Sequence, residues 1–196
     1  MNTLSMLDAA SDEELVARIA AGESASLGEL FRRRQRNIYR FALHLTGSPS
    51  LADDVTQDVF VAVIRDSAKF EPARATAIAW LCGMARNFVR RRLSTDRALA
   101  SIDGDDEGLQ AVIPAVHPDP LGDLTHAEAL ESLQRAILSL PLRYREAVVL
   151  CDLQELPYAD AADALSCPIG TVRSRLSRGR ALLAAKMQAE QRRCIA

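Results

Sequence analysis

Apolar residues recur along this chain at spacings of three and four, and the runs they form predict helices almost throughout. Residues 12–21 open with acids suited to a helix start, carry Leu15, Val16 and Ile19 on one stripe, and stop at Gly22. A second helix is expected from about Ser26 to Leu45, apolar at Leu27, Leu30, Phe31, Ile38, Phe41, Ala42 and Leu45 and basic along Arg32, Arg33, Arg34, Arg36 and Arg40. Gly47-Ser48-Pro49 ends it. A third, from about Ser50 to Asp66, turns Val55, Val59, Ala62 and Val63 inward and Asp54, Gln57, Asp58, Val61 and Arg65 outward. After a loop over 68–74, a fourth runs from Thr76 to about Leu93, with Trp80 and Phe88 expected in its core.

The periodicity then lapses. Residues 96–124 contain Asp-Gly-Asp-Asp-Glu-Gly and two X-Pro pairs near His117, and an unpatterned stretch of that length is expected to be a linker rather than a loop inside one domain. As a flexible coil it would span roughly 30 Å. Helical patterning resumes over Thr125–Ser139, with Ala129, Leu130, Leu133, Ile137 and Leu138 apolar, and over Arg143–Leu153. A short helix then carries Pro157 in its first turn and Ala161, Ala162 and Leu165 on its stripe. Ser166-Cys167-Pro168 breaks it and starts another helix, the geometry of a helix-turn-helix. The expected fold is therefore all-α. An N-terminal helical bundle (1–95) and a C-terminal four-helix domain with the helix-turn-helix (125–196) are joined by a flexible acidic linker (96–124).

Charge changes the picture more than composition does. The net charge of −2 argues against a polyanion partner until it is divided: +2 over 1–95, −6 over 96–124 and +2 over 125–196. From Ile169 to Lys186 there are four arginines and one lysine and no acid. Ile169, Val172, Leu176 and Leu183 share one face of that helix, while Gly170, Arg173, Ser174, Ser177 and Arg178 lie on or beside the opposite one, side chains suited to base edges and phosphates in a major groove. In the first block, arginines at 86, 90, 91, 92 and 97 interleave with aromatics beside a loop, the composition of a platform for single-stranded nucleic acid.

Other classes lack their residues. His44, His117 and His126 are scattered, Cys82, Cys151, Cys167 and Cys194 show no metal-site spacing, and no nucleophile–base pair stands out, so neither an enzyme, a metal nor a cofactor is expected. With no signal peptide or long apolar run, a reducing cytoplasm with free thiols and no membrane insertion is expected. The alternative is a free-standing dimeric helix-turn-helix regulator binding duplex operators. A receiver-type first module would alternate strands with helices, whereas 12–95 shows only helical periodicity.

Four segments in order, Leu51-Ala-Asp-Asp-Val-Thr-Gln-Asp-Val-Phe60, Ala79-Trp-Leu-Cys-Gly-Met-Ala-Arg-Asn87, Leu140-Pro-Leu-Arg-Tyr-Arg-Glu-Ala-Val-Val-Leu150 and Gly170-Thr-Val-Arg-Ser-Arg-Leu176, resemble the extracytoplasmic-function (ECF) sigma factors of bacterial RNA polymerase. The resemblance implies a non-enzymatic initiation factor with sigma region 2-like and region 4-like domains. It implies that Asp54, Gln57 and Asp58 dock on the β′ clamp helices of core polymerase. Lys69, Phe70, Arg74, Thr76, Arg86, Asn87 and Arg90 would melt the minus-ten element and hold its single strand. Thr171, Arg173, Ser174, Ser177 and Arg178 would read the minus-thirty-five element as duplex. The β flap, promoter DNA and an anti-sigma factor are the further partners it implies, with no extra sensory domain after the helix-turn-helix. Ser166 stands where many relatives carry Gly.

Overall fold

The computed structural model describes residues 9–100 and 124–195, and their side chains over 9–94 and 129–189. The first block is α1 (Asp12–Ala20), α2 (Ser24–Thr46), α3 (Pro49–Asp66), a single 3-10 turn (Ser67–Lys69) and α4 (Ala77–Ala100). The second is α5 (Leu124–Leu138), α6 (Leu142–Val148) running into a π-helical turn (Val149–Leu153), α7 (Tyr158–Leu165) and α8 (Ile169–Ile195). No strand occurs among the described residues, so the first block lacks the strand–helix alternation of a receiver module. The acidic linker lies almost wholly outside the described residues, except that α4 continues to Ala100 where the linker was expected from residue 96.

Local chemistry sets the ends. Ser11 and Glu14 form a capping box on α1: the Ser11 hydroxyl accepts from the Glu14 amide at 3.1 Å, and the Ser11 amide donates to the Glu14 carboxylate at 2.9 Å. Gly47 closes α2 in the left-handed region at φ 70°, its N–H returning to the Leu43 carbonyl at 2.7 Å. Ser48 caps α3, with Pro49 at the first position. The helix expected over Arg143–Leu153 widens into the π turn, where the Gln154 N–H bonds the Val149 carbonyl five residues back.

Packing confirms most of the expected inward faces and corrects four positions. Leu15, Val16, Val55, Val59, Ala62, Val63, Val172 and Leu176 are buried. Phe31, Ala129, Leu130 and Ile169 were expected inside and are exposed. Phe31 lies at the rim of the bundle, stacking edge-on against Phe60 at 4.8 Å. Trp80 and Phe88 are half-buried against the core. Cys82 is fully buried, which pushes its thiol up to about 12 and leaves it protonated and inert.

Much of the basic side of α2 is spent on structure. Arg33 and Arg34 both pair with Asp12, itself buried at the start of α1, and Arg32 and Arg33 pair with Glu29. The Asp12 pairs fasten α1 across α2, and the Glu29 pairs lie within α2.

The two blocks pack together around a continuous apolar core. At its centre Arg145, buried, donates to the Leu45 carbonyl of α2 at 2.6 Å, the Leu140 carbonyl at 2.9 Å and the Leu138 carbonyl. Leu45 and Leu138 belong to helix C-terminal turns, whose carbonyls have no partner within the helix, and a cation is favoured there by the helix dipoles. Burial pulls the guanidinium down to about 10, with the neighbouring Glu146 charge opposing. Asn37 of α2 donates to the Gln154 side chain at 3.3 Å across the same boundary. Replacing Arg145 by Ala leaves three carbonyls without their donor; the expected loss is about 3–5 kcal/mol of unfolding free energy, measured by urea denaturation.

Candidate nucleic-acid interface

The helix-turn-helix is built by a strained turn and a close helix contact. Ser166 ends α7 in the left-handed region at φ 51°, a conformation that costs a residue bearing Cβ. The Cys167 N–H returns to the Ala162 carbonyl at 3.0 Å, the six-to-one bond of a Schellman motif. Pro168 then starts α8, its carbonyl accepting from Thr171 at 2.8 Å and Val172 at 3.2 Å. Farther along, Gly179 lets α8 lie against α6, because a Cβ there would stand 2.7 Å from Val148 Cγ2 and 3.3 Å from the Tyr144 carbonyl oxygen.

This arrangement leaves Arg173, Ser174, Ser177 and Arg178 exposed on one side of α8, with Thr171 half-buried at its start. Two tyrosines that sequence reasoning passed over stage the arginines. Arg178 and Arg143 hydrogen-bond the Tyr144 hydroxyl and lower its pKa, and the Arg143 guanidinium lies 4.9 Å from the Tyr144 ring centre. Arg173 lies 5.9 Å from the ring centre of Tyr158. The only hint in the sequence was Tyr144 between Arg143 and Arg145; Tyr158 lies far from Arg173 along the chain. Arg180, counted in the basic run, makes two bonds to Asp152 at 2.6 and 3.1 Å and fastens α8 to the π turn.

In the first block, Phe70 packs against Trp80 with ring centres 5.1 Å apart, at the mouth of a cleft of about 440 Å³. Arg74 shares that wall, while Asp163, Ser166 and Cys167 of the second block line the facing one. Lys69 pairs with Asp66 at 2.6 Å, and Arg74 with Glu71 at 3.5 Å. Arg65 and Lys69 together hold the Asp66 carboxyl down to about 2. The Thr76 hydroxyl accepts from the Ala79 amide at 3.4 Å as a cap on α4, and the Ala77 amide donates to Glu13 of α1 at 2.9 Å. Asn87 is exposed. Arg86 and Arg90 do not face open solvent together: both place Nε 3.0 Å from Oε1 of the fully buried Glu146 in the second block.

A third face belongs to α3. Asp54, Gln57, Val61 and Ile64 are exposed along it, and Asp58 is half-buried and paired with Arg92 at 2.6 Å. Apolar side chains bare to solvent among acids are what a helix presents to a basic, partly apolar partner. No helix among the described residues is long and apolar enough to cross a membrane.

These elements give the described residues an all-helical, two-block architecture, with a helix-turn-helix that exposes an arginine- and serine-rich face in one block and an aromatic–arginine cleft at the edge of the other. Residues 30–98 match the family model for Sigma-70 region 2, and residues 130–183 match that for Sigma-70 region 4. The ECF RNA polymerase sigma factor SigC of Mycobacterium tuberculosis is 34% identical over 197 residues, covering 91% of this chain and 95% of that protein. SigM of the same species is 33% identical, covering 89% and 83%. SigE of Mycolicibacterium smegmatis is 34% identical over 82% of this chain, which spans 62% of that relative's length. The chain belongs to the ECF group of RNA polymerase sigma factors. Among solved structures, RpoE of Bartonella quintana in complex with the anti-sigma factor NepR superposes with a TM-score of 0.63 at 27% identity, covering 81% of this chain and 94% of that one. CnrH in complex with the cytosolic domain of CnrY shares the fold, with a TM-score of 0.66 at 24% identity over 92% of this chain and 99% of that one.

The turn and the contact beneath the reading helix are separable by mutation. Ser166→Gly relieves the left-handed strain and is expected to raise unfolding free energy by about 1 kcal/mol. Gly179→Ala forces Val148 and α6 to shift and is expected to cost about 1–3 kcal/mol. Thermal melts of the two variants read both signs.

Proposed function

We propose that this chain is the promoter-specificity subunit of an RNA polymerase holoenzyme, with three faces dividing the work. The exposed face of α3, with Asp54, Gln57 and Asp58 beside Val61 and Ile64, docks on the clamp helices of core polymerase. The second block engages the β flap and presents α8 to the minus-thirty-five element, with Arg173, Ser174, Ser177 and Arg178 at base edges and phosphates and Thr171 at the helix start. Phe70 and its neighbours Lys69, Arg74 and Thr76 take unstacked bases of the minus-ten element, while Arg86, Asn87 and Arg90 follow its backbone. Extruding a base costs a few kcal/mol, which aromatic stacking and phosphate contacts offset. The polymerase supplies the chemistry and this chain supplies the address.

The observation that carries this reading is the separation of two DNA-suited faces onto the two blocks matched by regions 2 and 4, each with its own kind of contact: a helix for duplex and an aromatic–arginine cleft for single strand. The likeness to RpoE, solved with its anti-sigma factor, supports an anti-sigma partner for this chain as well.

Run-off transcription with core polymerase on a randomised promoter pool tests the whole. Transcripts that core alone does not make, sharing two sequence elements, are the expected result; none at all, with specific duplex binding by the protein alone, points to a free-standing regulator. Asp54→Arg, on an exposed site without a described partner to disturb, is expected to abolish co-purification with core polymerase while leaving the melting temperature unchanged. Arg178→Ala is expected to weaken binding to the upstream element by about 1–3 kcal/mol in a sequence-dependent way; an equal loss on every duplex would assign it to phosphate only.

A further inference from the structure

Glu146 is fully buried, lies in the second block next to Arg145, and pairs with two arginines of the first. Both Arg86 and Arg90 bring Nε to 3.0 Å of the same carboxylate oxygen. Neither Glu146 oxygen receives a directed hydrogen bond, so the contact is one of charge without the linear alignment that best offsets the desolvation of a buried carboxylate. On the same side of α4, α7 lies close enough that a Cβ at Gly83 would stand 3.5 Å from the Ala164 carbonyl oxygen. Asp163 lines the cleft opposite Phe70 and Arg74. An acid therefore faces each group of bases-and-backbone contacts that the single strand would use.

We propose that Glu146 acts as an internal substitute for a DNA phosphate: it occupies Arg86 and Arg90 and latches the second block over the strand-holding face of the first, so that the free protein masks its own single-strand site. The masking is one-sided. Arg173, Ser174, Ser177 and Arg178 remain exposed in the closed form, so duplex reading stays available while strand capture does not. A single strand brings the same negative charge to the two guanidiniums and adds bases for Phe70 and Trp80, which Glu146 cannot supply. The latch is thus displaced by the ligand it imitates. This inference rests on the assignment of Arg86 and Arg90 to the strand backbone.

The test uses the full chain, with two variants that open the interface by different physics. Glu146→Gln removes the charge. Gly83→Trp wedges α4 from α7 without touching the ion pairs, and therefore still reports if Glu146→Gln lowers stability; Gly83→Ala, whose Cβ meets only an ordinary contact, serves as the closed control. Small-angle scattering reads opening as a larger radius of gyration. Fluorescence anisotropy reads binding of a short labelled single-stranded DNA of randomised sequence, and of a duplex carrying the upstream element. Both opened variants are expected to bind the single strand about tenfold more tightly, the gain when a form populated at roughly a tenth becomes dominant, with duplex affinity unchanged. Scattering that stays at the wild-type radius in both variants overturns the latch. Opening without tighter single-strand binding overturns the masking. Adding Arg86→Ala and Arg90→Ala to the Gly83→Trp chain tells the two levels apart. If single-strand binding falls there, the backbone role of the arginines stands whatever becomes of the latch; if it does not fall, that role fails and the latch proposal with it.

Discussion

Arg145 sits where the carboxyl ends of α2 and α5 converge, and the carbonyls it satisfies at Leu45 and Leu138 are ones the helices cannot satisfy internally. Burying a guanidinium is costly, and the reduced proton affinity of this one records the cost. Three carbonyl acceptors and two helix dipoles offset it. Because one of those helices belongs to the first block and the other to the second, the geometry of the whole molecule depends on this group. The apolar core that runs between the blocks closes around it, and Glu146, the next residue along α6, is carried by the same placement onto Arg86 and Arg90.

That placement divides the surfaces unequally. The α8 face and the α3 face look outward, while the aromatic cleft of the first block looks at α7 and the strained turn after it. A chain that must find both polymerase and promoter gains from this asymmetry. On the proposed assignment, the contacts that would confer an address on duplex DNA are open from the start, and those that would hold a melted strand are held back from indiscriminate capture of any single-stranded nucleic acid, whose backbone charge is the same everywhere.

Charge at the level of the chain conceals how the arginines are allotted. Arg33 and Arg34 fasten α1, Arg92 holds Asp58, Arg180 holds Asp152 and Arg145 joins the blocks. Arg173 and Arg178, staged by Tyr158 and Tyr144, present their guanidiniums to solvent. Among the described residues no ion pair ties this second group to an acid, and it lies on the segment that the sequence shows to be devoid of acids.

The sequence by itself determined the helices, their order and the basic, acid-free outer face of α8. Periods of three and four, a Gly-Ser-Pro stop, and a proline after a short break act over a few residues and leave their mark wherever they occur. It also made the acidic outer face of α3 legible, because inward Val55, Val59 and Val63 fix where Asp54 and Gln57 must point. Ion pairing was not legible. Glu146 meets Arg86 from sixty positions away, and Asp152 meets Arg180 across an intervening helix, so no local pattern could single them out among twenty-six acids and twenty-four bases. The exposure of Phe31, Ala129, Leu130 and Ile169 was equally hidden, since periodicity assigns a residue to a stripe but not the reach of the neighbour that would cover it. Those outcomes belong to tertiary structure because they depend on which helix surfaces come together, and that is decided by the packing of the whole core and by the one buried cation that joins its two halves.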